Sequence, residues 1–303
     1  MPQRLCRLFH VDAFTRERFC GNPAVVVLDA DELTDDDMHR IAREINGTEV
    51  AFVLGSEAPG HDVEIRFFSP SREVAFVGHA TVAAHYVRAL TLGVPKGKVR
   101  QKSGGGIVEV EVGGEAPDLR ITVSQSPATF GPIIPENRQG PVLDALGISS
   151  TSLHASCPLQ VMSRASTRLM IGLQSPAMLE SLRPQMDSLV HLTPHVGADG
   201  FFVFAVDASS EEPATESRMF CPVIGVPEDP VSGNAHGMLG VYLLHHGLLA
   251  AGRDGVARFT GHQGRFVERP GIVDVEVTAS GKRATGVRVS GHAVIVYEAE
   301  LPI

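Results

Sequence analysis

Several residue types are scarce in this sequence, and each scarcity excludes a class of site. There is no tryptophan, and there are only three tyrosines and four cysteines among 303 residues. The cysteines form no Cys-x-x-Cys pair, so neither a zinc site nor a redox motif is indicated. The 13 histidines include no His-Glu-x-x-His motif, and His245-His246 fits a helix end better than a metal pair. We therefore predict no metal site.

Basic residues and long apolar runs are also in short supply. Lys and Arg number 26 against 35 Asp and Glu, and the net charge of −9 argues against nucleic acid as a partner. No apolar run approaches a membrane-spanning length, and the first residues lack the apolar region of a signal peptide. The sequence predicts a soluble, cytoplasmic protein without a membrane partner, long enough for two domains.

The most informative stretch runs from residue 218 to residue 246. Its Pro-Glu-Asp-Pro segment, residues 227–230, cannot lie inside a helix, because proline lacks an N–H and restricts the residue before it. Ser232-Gly233-Asn234-Ala235 then opens an apolar run that is long enough for a buried helix. Free N–H groups at such a helix start can bind an anion, such as a substrate carboxylate. The alternative is a capped core helix whose acids only offset the helix dipole.

A second copy of this pattern lies in the first half of the chain. Both copies read Arg-x-Phe-x-Pro, a short connection, Gly-(His/Asn)-Ala and then a helix; the first runs from Arg66 through Gly78 and His79, the second from Arg218 through Gly233 and Asn234. The connection is three residues longer in the second copy. The repeat predicts two similar lobes, in each of which a strand leads to the start of a central helix.

One further carboxylate lies at a loop-to-strand junction. Glu49 follows a break at residues 46–48 and precedes the apolar strand that we predict over residues 50–54. Partial burial there would raise its pKa and suit it to proton transfer. A solvated acid at a strand edge is the alternative.

The coarse secondary structure places these motifs on a two-domain frame. We predict a helix capped by Thr34, strands at residues 24–28 and 63–68, and alternating strands near the end of the chain. The Pro- and Gly-rich residues 126–140 are predicted to be the linker. The first lobe then covers 1–126 plus a returning strand at 289–303, and the second lobe covers 127–288.

Together these residues resemble the family of PhzF-like isomerases of phenazine biosynthesis, whose fold is similar to that of diaminopimelate epimerases. The resemblance covers essentially the whole chain. It is carried by the following landmarks: Val11-Asp12-Ala13-Phe14, Gly21-Asn22-Pro23-Ala24, Thr48-Glu49-Val50-Ala51-Phe52, Gly78-His79-Ala80-Thr81, Glu228-Asp229-Pro230-Val231-Ser232-Gly233, Gln263-Gly264 and Arg269-Pro270-Gly271.

The resemblance implies an α+β fold of two lobes, each a mixed, curled sheet around a central helix, with the active site between them. It implies that Glu49 is the general acid/base and that His79 and Asp229 assist it. It also implies isomerisation without a cofactor, in which a carbon-bound proton moves on a small amino or hydroxy carboxylate, and a homodimer. The substrate carboxylate would be bound at the two helix starts, by Gly78, Ala80, Ser232, Gly233 and Asn234.

Two departures from the related patterns bear on the chemistry. Diaminopimelate epimerases carry a cysteine before each helix-start glycine, where this chain has Val77 and Ser232, so a two-cysteine epimerase is not expected. The phenazine enzymes proper carry a serine where this chain has Asn234, which implies different substrate contacts. We therefore expect a substrate other than the phenazine precursor.

Less specific interpretations of the same residues stay open. His79 could be an ordinary histidine of a first helical turn, Asp229 could brace its turn, and Ser232 and Asn234 could be caps only. His85 and His236 lie further into their helices and are predicted to pack. A small-carboxylate binding protein without chemistry is the alternative function, and a protein whose lobes mainly dimerise is a weaker one.

Overall fold

The computed structural model describes residues 5–56, 59–207 and 212–303. The chain divides into two compact units. Unit 1 comprises residues 1–124 and 290–303, and unit 2 comprises residues 125–289. The second segment of unit 1 supplies the last strand of the chain.

Unit 1 contains a mixed sheet and two helices. Its elements are β1 (Leu5–Ala13), β2 (Asn22–Leu28), α1 (Asp35–Ile45), β3 (Val50–Leu54), β4 (Val63–Phe68), β5 (Glu73–Val74), α2 (Gly78–Thr91), β6 (Gly97–Ser103), β7 (Gly106–Glu115), β8 (Asp118–Gln125, whose last residue falls in unit 2) and β18 (Ala293–Pro302).

The sheet of unit 1 wraps around α2. β1 pairs antiparallel with both β2 and β18, so the last strand of the chain lies beside the first strand in the sheet. β2 and β3 are parallel, as are β4 and β6, while β3–β4, β6–β7 and β7–β8 are antiparallel. α2 packs against β1, β2, β3, β7 and β18 and is buried on all sides from Ala80 to Arg88. A helix that is buried all round is the centre of its unit.

Unit 2 repeats this arrangement around α5 with additional helices. Its elements are β9 (Thr129–Ile133), α3 (Gly140–Leu146), β10 (Gln160–Arg164), β11 (Ser166–Leu173), α4 (Met186–Val196), β12 (Phe201–Asp207), β13 (Ala214–Cys221), β14 (Val226–Asp229), α5 (Gly233–His245), β15 (Val256–Gln263), β16 (Gly271–Ser280) and β17 (Arg283–Gly291, whose last two residues fall in unit 1).

The sheet of unit 2 separates two hydrophobic layers. β11 and β12 are parallel, as are β13 and β15, and the pairs β9–β10, β10–β11, β12–β13 and β15–β16 are antiparallel. One face carries Val161, Leu169 and Ile171, which pack with α3 and α4 in a common cluster. α5 packs against β10, β15 and β16, and Gly240 allows its close approach, since a Cβ there would lie 2.7 Å from Val277.

The structure corrects the predicted linker. Residues 126–140 contain β9 and a 3₁₀ turn at Glu136–Arg138, so they are part of unit 2 and do not form a connection. β9 tolerates Pro132 because its pairing with β10 shifts register at this point, and prolines occur in sheets at such bulges.

None of the helices that the structure describes is long and apolar enough to span a membrane. Within the same described residues, no three His, Cys, Asp or Glu side chains are grouped so that they could hold a metal ion. All four cysteines are free thiols.

Candidate active site

Glu49 is placed by backbone contacts at the amino end of β3. α1 ends at Ile45 with Asn46 in the left-handed conformation, which turns the chain toward β3. The hydroxyl of Thr48 donates to the carbonyl of Pro23, and the N–H of Val25 donates to the carbonyl of Glu49 at 3.1 Å. The residues on both sides of Glu49 are thus fixed to the start of β2, and the carboxylate is held at a strand end.

His79 is the second residue of α2, a helix whose first turn receives no hydrogen bond from the side chain of its N-cap residue. The residue before the helix is Val77, and its side chain has no atom that could accept a hydrogen bond from the first-turn N–H groups. The N–H groups of Gly78, His79 and Ala80 belong to this turn and have no intrahelical acceptor. Gly105 donates to the carbonyl of Ala75 at 2.7 Å and fixes the approach to the helix.

The side chains of Glu49 and His79 are in contact. His79 Nε2 lies 3.4 Å from Oε2 of Glu49, and the side chains are 13% and 35% exposed. Burial is the largest single influence and raises the pKa of Glu49, but the contact with His79 and a backbone hydrogen bond together lower it by more, so that the pKa lies below its ordinary value. The expectation of a raised pKa was therefore wrong, because these contacts together outweigh the loss of solvent. Glu49 is ionised at neutral pH and is equipped to act as a base.

Asp229 is the last residue of β14 in unit 2. β14 pairs with β13, with Asp229 opposite Met219. Gln263 bridges the turn that follows: its amide N–H donates to the carbonyl of Asp229 at 2.7 Å, and its amide oxygen accepts from the N–H of Ser232 at 3.0 Å. One side chain therefore fixes Asp229 relative to the start of α5.

The three residues at the start of α5 differ in which of their polar groups have hydrogen-bond partners within the protein. The hydroxyl of Ser232 accepts from the N–H of Ala235 at 3.3 Å, so Ser232 is the N-cap. Gly233 is buried and Asn234 is partly buried in the first turn. The Asn234 amide donates to the carbonyl of Arg164 and to the hydroxyl of Ser166, and its oxygen accepts from Arg164. The side chains of Ser232 and Asn234 thus have internal partners, while the Gly233 and Asn234 N–H groups belong to the open turn.

The repeated Arg-x-Phe-x-Pro segments have the same construction in both units. Arg66 binds Glu73 through two parallel N–H···O bonds of 2.8 Å, and Arg218 binds Glu228 in the same way at 2.9 and 2.8 Å. Each guanidinium also lies over the phenylalanine two residues further along the strand. The arginine therefore fixes the short strand that leads toward the helix start, which explains why the motif occurs twice.

The two ion pairs differ in burial, and this difference predicts unequal mutational effects. Arg218 and Glu228 are 10% and 12% exposed, whereas Arg66 and Glu73 are 21% and 43% exposed. Glu228→Gln leaves a buried guanidinium without its counter-charge, and we expect it to lower the free energy of unfolding by about 3 kcal/mol. Glu73→Gln, the matched control, should cost less than about 1 kcal/mol. Urea denaturation measures both; equal losses would contradict the role of burial.

Sequence reasoning missed one residue of this region, Arg164. It ends β10 at a tight turn into β11, in which Ala165 has a φ of 58°. No motif marks an arginine in such a hairpin, and only its contact with Asn234 reveals its position beside α5. His85 and His236, in contrast, are 1% and 0% exposed, so the prediction that they pack is confirmed.

Known proteins have sequences similar to this chain over almost its whole length. Residues 11–299 match the PhzC-PhzF family, described as phenazine biosynthesis-like protein. An uncharacterized isomerase of Clostridium acetobutylicum is 40% identical over 98% of both chains. The trans-2,3-dihydro-3-hydroxyanthranilate isomerase of Pseudomonas aeruginosa is 29% identical over 95% of this chain and 96% of that protein.

Solved structures extend the similarity to the fold. A PhzF-family phenazine biosynthesis protein of Bacillus anthracis has a TM-score of 0.86 and 27% identity, covering 99% of this chain and 100% of that chain. A hydroxyproline epimerase of Agrobacterium vitis has a TM-score of 0.63 at 12% identity, covering 99% and 93%, and shares the fold alone. The predicted fold class is confirmed. The chain therefore belongs to the phenazine biosynthesis-like PhzC-PhzF family and is an isomerase of that family.

Proposed function

We propose that the protein moves a carbon-bound proton on a small amino or hydroxy carboxylate by general acid/base catalysis, without a cofactor. The observation that carries this proposal is the contact between Glu49 and His79 at the open start of α2. A carboxylate with a lowered pKa is available as a base at neutral pH, and 35% exposure of its side chain leaves it accessible to a ligand.

In the proposed reaction Glu49 takes a proton from one carbon of the substrate and returns it to another. Negative charge then develops on the substrate and must be stabilised by groups already in place. His79 lies within reach of the Glu49 carboxylate and is proposed to assist the transfer, and Asp229 is proposed as the second polar group of the reaction. A single carboxylate that removes and returns the proton needs no further redox or group-transfer chemistry.

The helix starts are proposed to hold the substrate carboxylate. The N–H groups of Gly78 and Ala80 in α2 and of Gly233 and Asn234 in α5 belong to first turns, and such groups with the helix dipole favour an anion. Ser232 would contribute through its cap, which orients the first turn of α5.

The relative from Pseudomonas aeruginosa supports the substrate class. Its name describes the isomerisation of a hydroxylated amino carboxylate. Asn234, whose side chain is bonded to Arg164 and Ser166, supports a different substrate for this chain, because its amide is directed to residues of β10 and β11.

A ligand screen tests the proposed substrate class. Purified protein is heated with small amino and hydroxy carboxylates, including cyclic and aromatic ones, and each stabilising compound is then incubated in D₂O and examined by NMR. A compound that stabilises the protein and takes up deuterium at carbon is the expected result. Stabilisation without any exchange would contradict proton transfer and favour the alternative of a binding protein.

The contact with His79 predicts a shift of the pH dependence of exchange. In His79→Gln the interaction that lowers the pKa of Glu49 is lost, and burial then raises that pKa. Because only ionised Glu49 acts as the base, the acidic limb of the rate profile should move to higher pH. The exchange rate of a screened ligand, measured by NMR across the pH range, checks this. His191→Gln on the exposed face of α4 is the control, and an unmoved limb in His79→Gln would contradict the assignment.

The predicted homodimer and the predicted cytoplasmic location stay proposals.

A further inference from the structure

Gln263 is the last residue of β15 and lies beside the turn that connects β14 to α5. The residue is 3% exposed, and both polar atoms of its amide have partners in that turn. The nitrogen donates to the carbonyl of Asp229 at 2.7 Å, and the oxygen accepts from the N–H of Ser232 at 3.0 Å. A single buried carboxamide therefore holds both the residue before the turn and the residue that caps α5.

Gly264 brings the end of β15 into contact with the same turn. Its φ of 92° lies in the left-handed region, and a Cβ at this position would lie 2.8 Å from the carbonyl oxygen of Pro230. The N–H of Arg269 donates to the carbonyl of Gly264 at 3.0 Å and closes the loop that follows. The backbone next to Gln263 is thus held against the turn, which leaves its amide little freedom to move relative to Asp229.

The backbone of Ser232 is held from two sides. Its N–H donates to Gln263, and its carbonyl accepts from Nδ1 of His236 at 2.8 Å. The other ring nitrogen of His236 lies 3.4 Å from the hydroxyl of Ser217, which is opposite Gln263 in the parallel pair β13–β15. The bridge by Gln263 is therefore part of a buried polar network, and a network whose members all have partners specifies one arrangement of its residues.

The equivalent connection in unit 1 is fixed by the backbone instead. The pairs β4–β6 and β13–β15 have the same register relative to the repeated arginines, which places Ser103 of unit 1 at the position of Gln263. The Ser103 hydroxyl accepts from the N–H of Gly105 within its own turn, and that N–H also donates to the carbonyl of Ala75 at 2.7 Å. The connection in unit 2 is three residues longer, and the glutamine side chain spans it.

We propose that Gln263 is a positioning residue for the isomerase reaction, which holds the Asp229 carboxylate in the orientation in which it acts. This inference rests on the proposed function, in which Asp229 is the second polar group. Gln263 uses both amide atoms on the backbone and acts on the reaction through Asp229. Displacement of a reacting group by about 1 Å can cost about 100-fold in rate, so a fixed turn matters for the chemistry.

Gln263→Glu separates the two hydrogen bonds of the bridge. The carboxylate keeps an acceptor for the N–H of Ser232 but has no N–H to donate to the carbonyl of Asp229. The first turn of α5 should therefore stay in place while Asp229 loses its anchor. We expect the rate of deuterium exchange on saturating ligand to fall by about 10- to 100-fold and the binding constant to change by less than about 3-fold.

The probes are serine, threonine and proline, each as both enantiomers, and lactate. The probe that the wild type exchanges fastest is used for every variant, and its exchange in D₂O is followed by NMR. Gln174→Glu is the matched control, because Gln174 also donates to backbone carbonyls of unit 2 but lies at an exposed site. It should exchange the probe at the wild-type rate. An unchanged exchange rate in Gln263→Glu would overturn the proposal.

Combination with Asp229→Asn shows whether Gln263 acts through Asp229. Asp229→Asn should slow exchange, and Gln263→Glu added to it should cost less than about 3-fold more, because the residue that it positions has already lost its charge. Losses that multiply independently would overturn the proposal. A wild-type rate in Asp229→Asn would refute the proposed role of Asp229 and this inference with it, whereas Glu49→Gln tests the proton transfer separately.

Amide hydrogen exchange of the unliganded protein tests the bridge without any substrate. Gln263→Met keeps the approximate volume of the side chain but removes both hydrogen bonds. We expect the Ser232 N–H to exchange at least about 10-fold faster than in the wild type, while the N–H groups of α3 keep their protection and show that the variant is folded. Wild-type protection of Ser232 in Gln263→Met would overturn the proposal, whatever the outcome for the isomerase reaction.

Discussion

Glu49→Gln is expected to retain the fold and ligand binding but to lose deuterium exchange at the carbon of a bound ligand, by about 10³-fold. The substitution keeps the size and shape of the side chain but replaces one acceptor oxygen by an NH₂ group and so removes the base. Glu49 is fixed by its strand position, and its partly exposed side chain contributes little to the core. The melting temperature should therefore change little, and the loss should appear in the exchange rate and not in the binding constant.

Glu44→Gln provides the matched control for this experiment. Glu44 is an exposed residue of α1, five positions before Glu49, and the substitution changes the net charge by the same amount. It should exchange deuterium at the wild-type rate. Retained exchange in Glu49→Gln, with the control unchanged, would show that another group removes the proton.

Acidification is expected to destabilise the protein through two buried histidines, His85 and His236. Burial lowers the pKa of His85 to about 3 and that of His236 to about 4. In the unfolded chain both take up a proton near pH 6.5, whereas in the folded state they stay neutral until far lower pH. The unfolded state therefore binds more protons below pH 6.5, and stability falls as the pH falls. Each group contributes about 1.4 kcal/mol per pH unit, so the pair costs about 4 kcal/mol between pH 6.5 and pH 5.

The structure explains why both imidazoles remain neutral. Nε2 of His85 lies 2.9 Å from the amide oxygen of Gln101, and His236 donates from Nδ1 to the carbonyl of Ser232 at 2.8 Å. The ring of His236 also packs directly against Gly261, where a Cβ would collide with it. These sites satisfy a neutral ring and leave no space for the solvation of a charge.

Urea denaturation between pH 5 and pH 7 measures this effect. His85→Gln and His236→Gln should each reduce the slope of unfolding free energy against pH by about 1.4 kcal/mol per unit at the acidic end of this range, whatever their absolute stability, and by less near pH 7. His191→Gln, at an exposed site, should leave the slope nearly unchanged. A slope in the two buried variants equal to that of the wild type would contradict the assigned pKa values.

The sequence predicted those elements whose signals are local. Thr34 caps α1, and acidic residues occupy the first turn of this helix as expected. β3 and β4 have the predicted bounds because their apolar patterns begin and end at turn residues. α4 was missed because Pro194 interrupts its pattern, although the proline falls in the last turn, where the helix tolerates it. β9 was taken as linker because its strand character depends on pairing with β10, which composition does not reveal.

The candidate site was predicted only in part, for similar reasons. Glu49 and His79 are 30 positions apart, and their approach results from the pairing of strands that wrap around α2; the resemblance indicated both residues, but the contact is a property of the fold. The sign of the pKa shift of Glu49 was wrong because it depends on that contact. Arg164 was missed since its position beside Asn234 requires the β10–β11 register.

The most direct test of the central claim is deuterium uptake by wild-type protein that has been treated with a chelator and freed of small molecules. A carboxylate that raises the melting temperature is incubated with this protein in D₂O, and its carbon-bound protons are followed by NMR. Proton transfer by Glu49 alone predicts loss of signal at a carbon of the ligand, at the same rate before and after chelation. Uptake that appears only when a metal ion or cofactor is added, or no uptake by any ligand that binds, would contradict it.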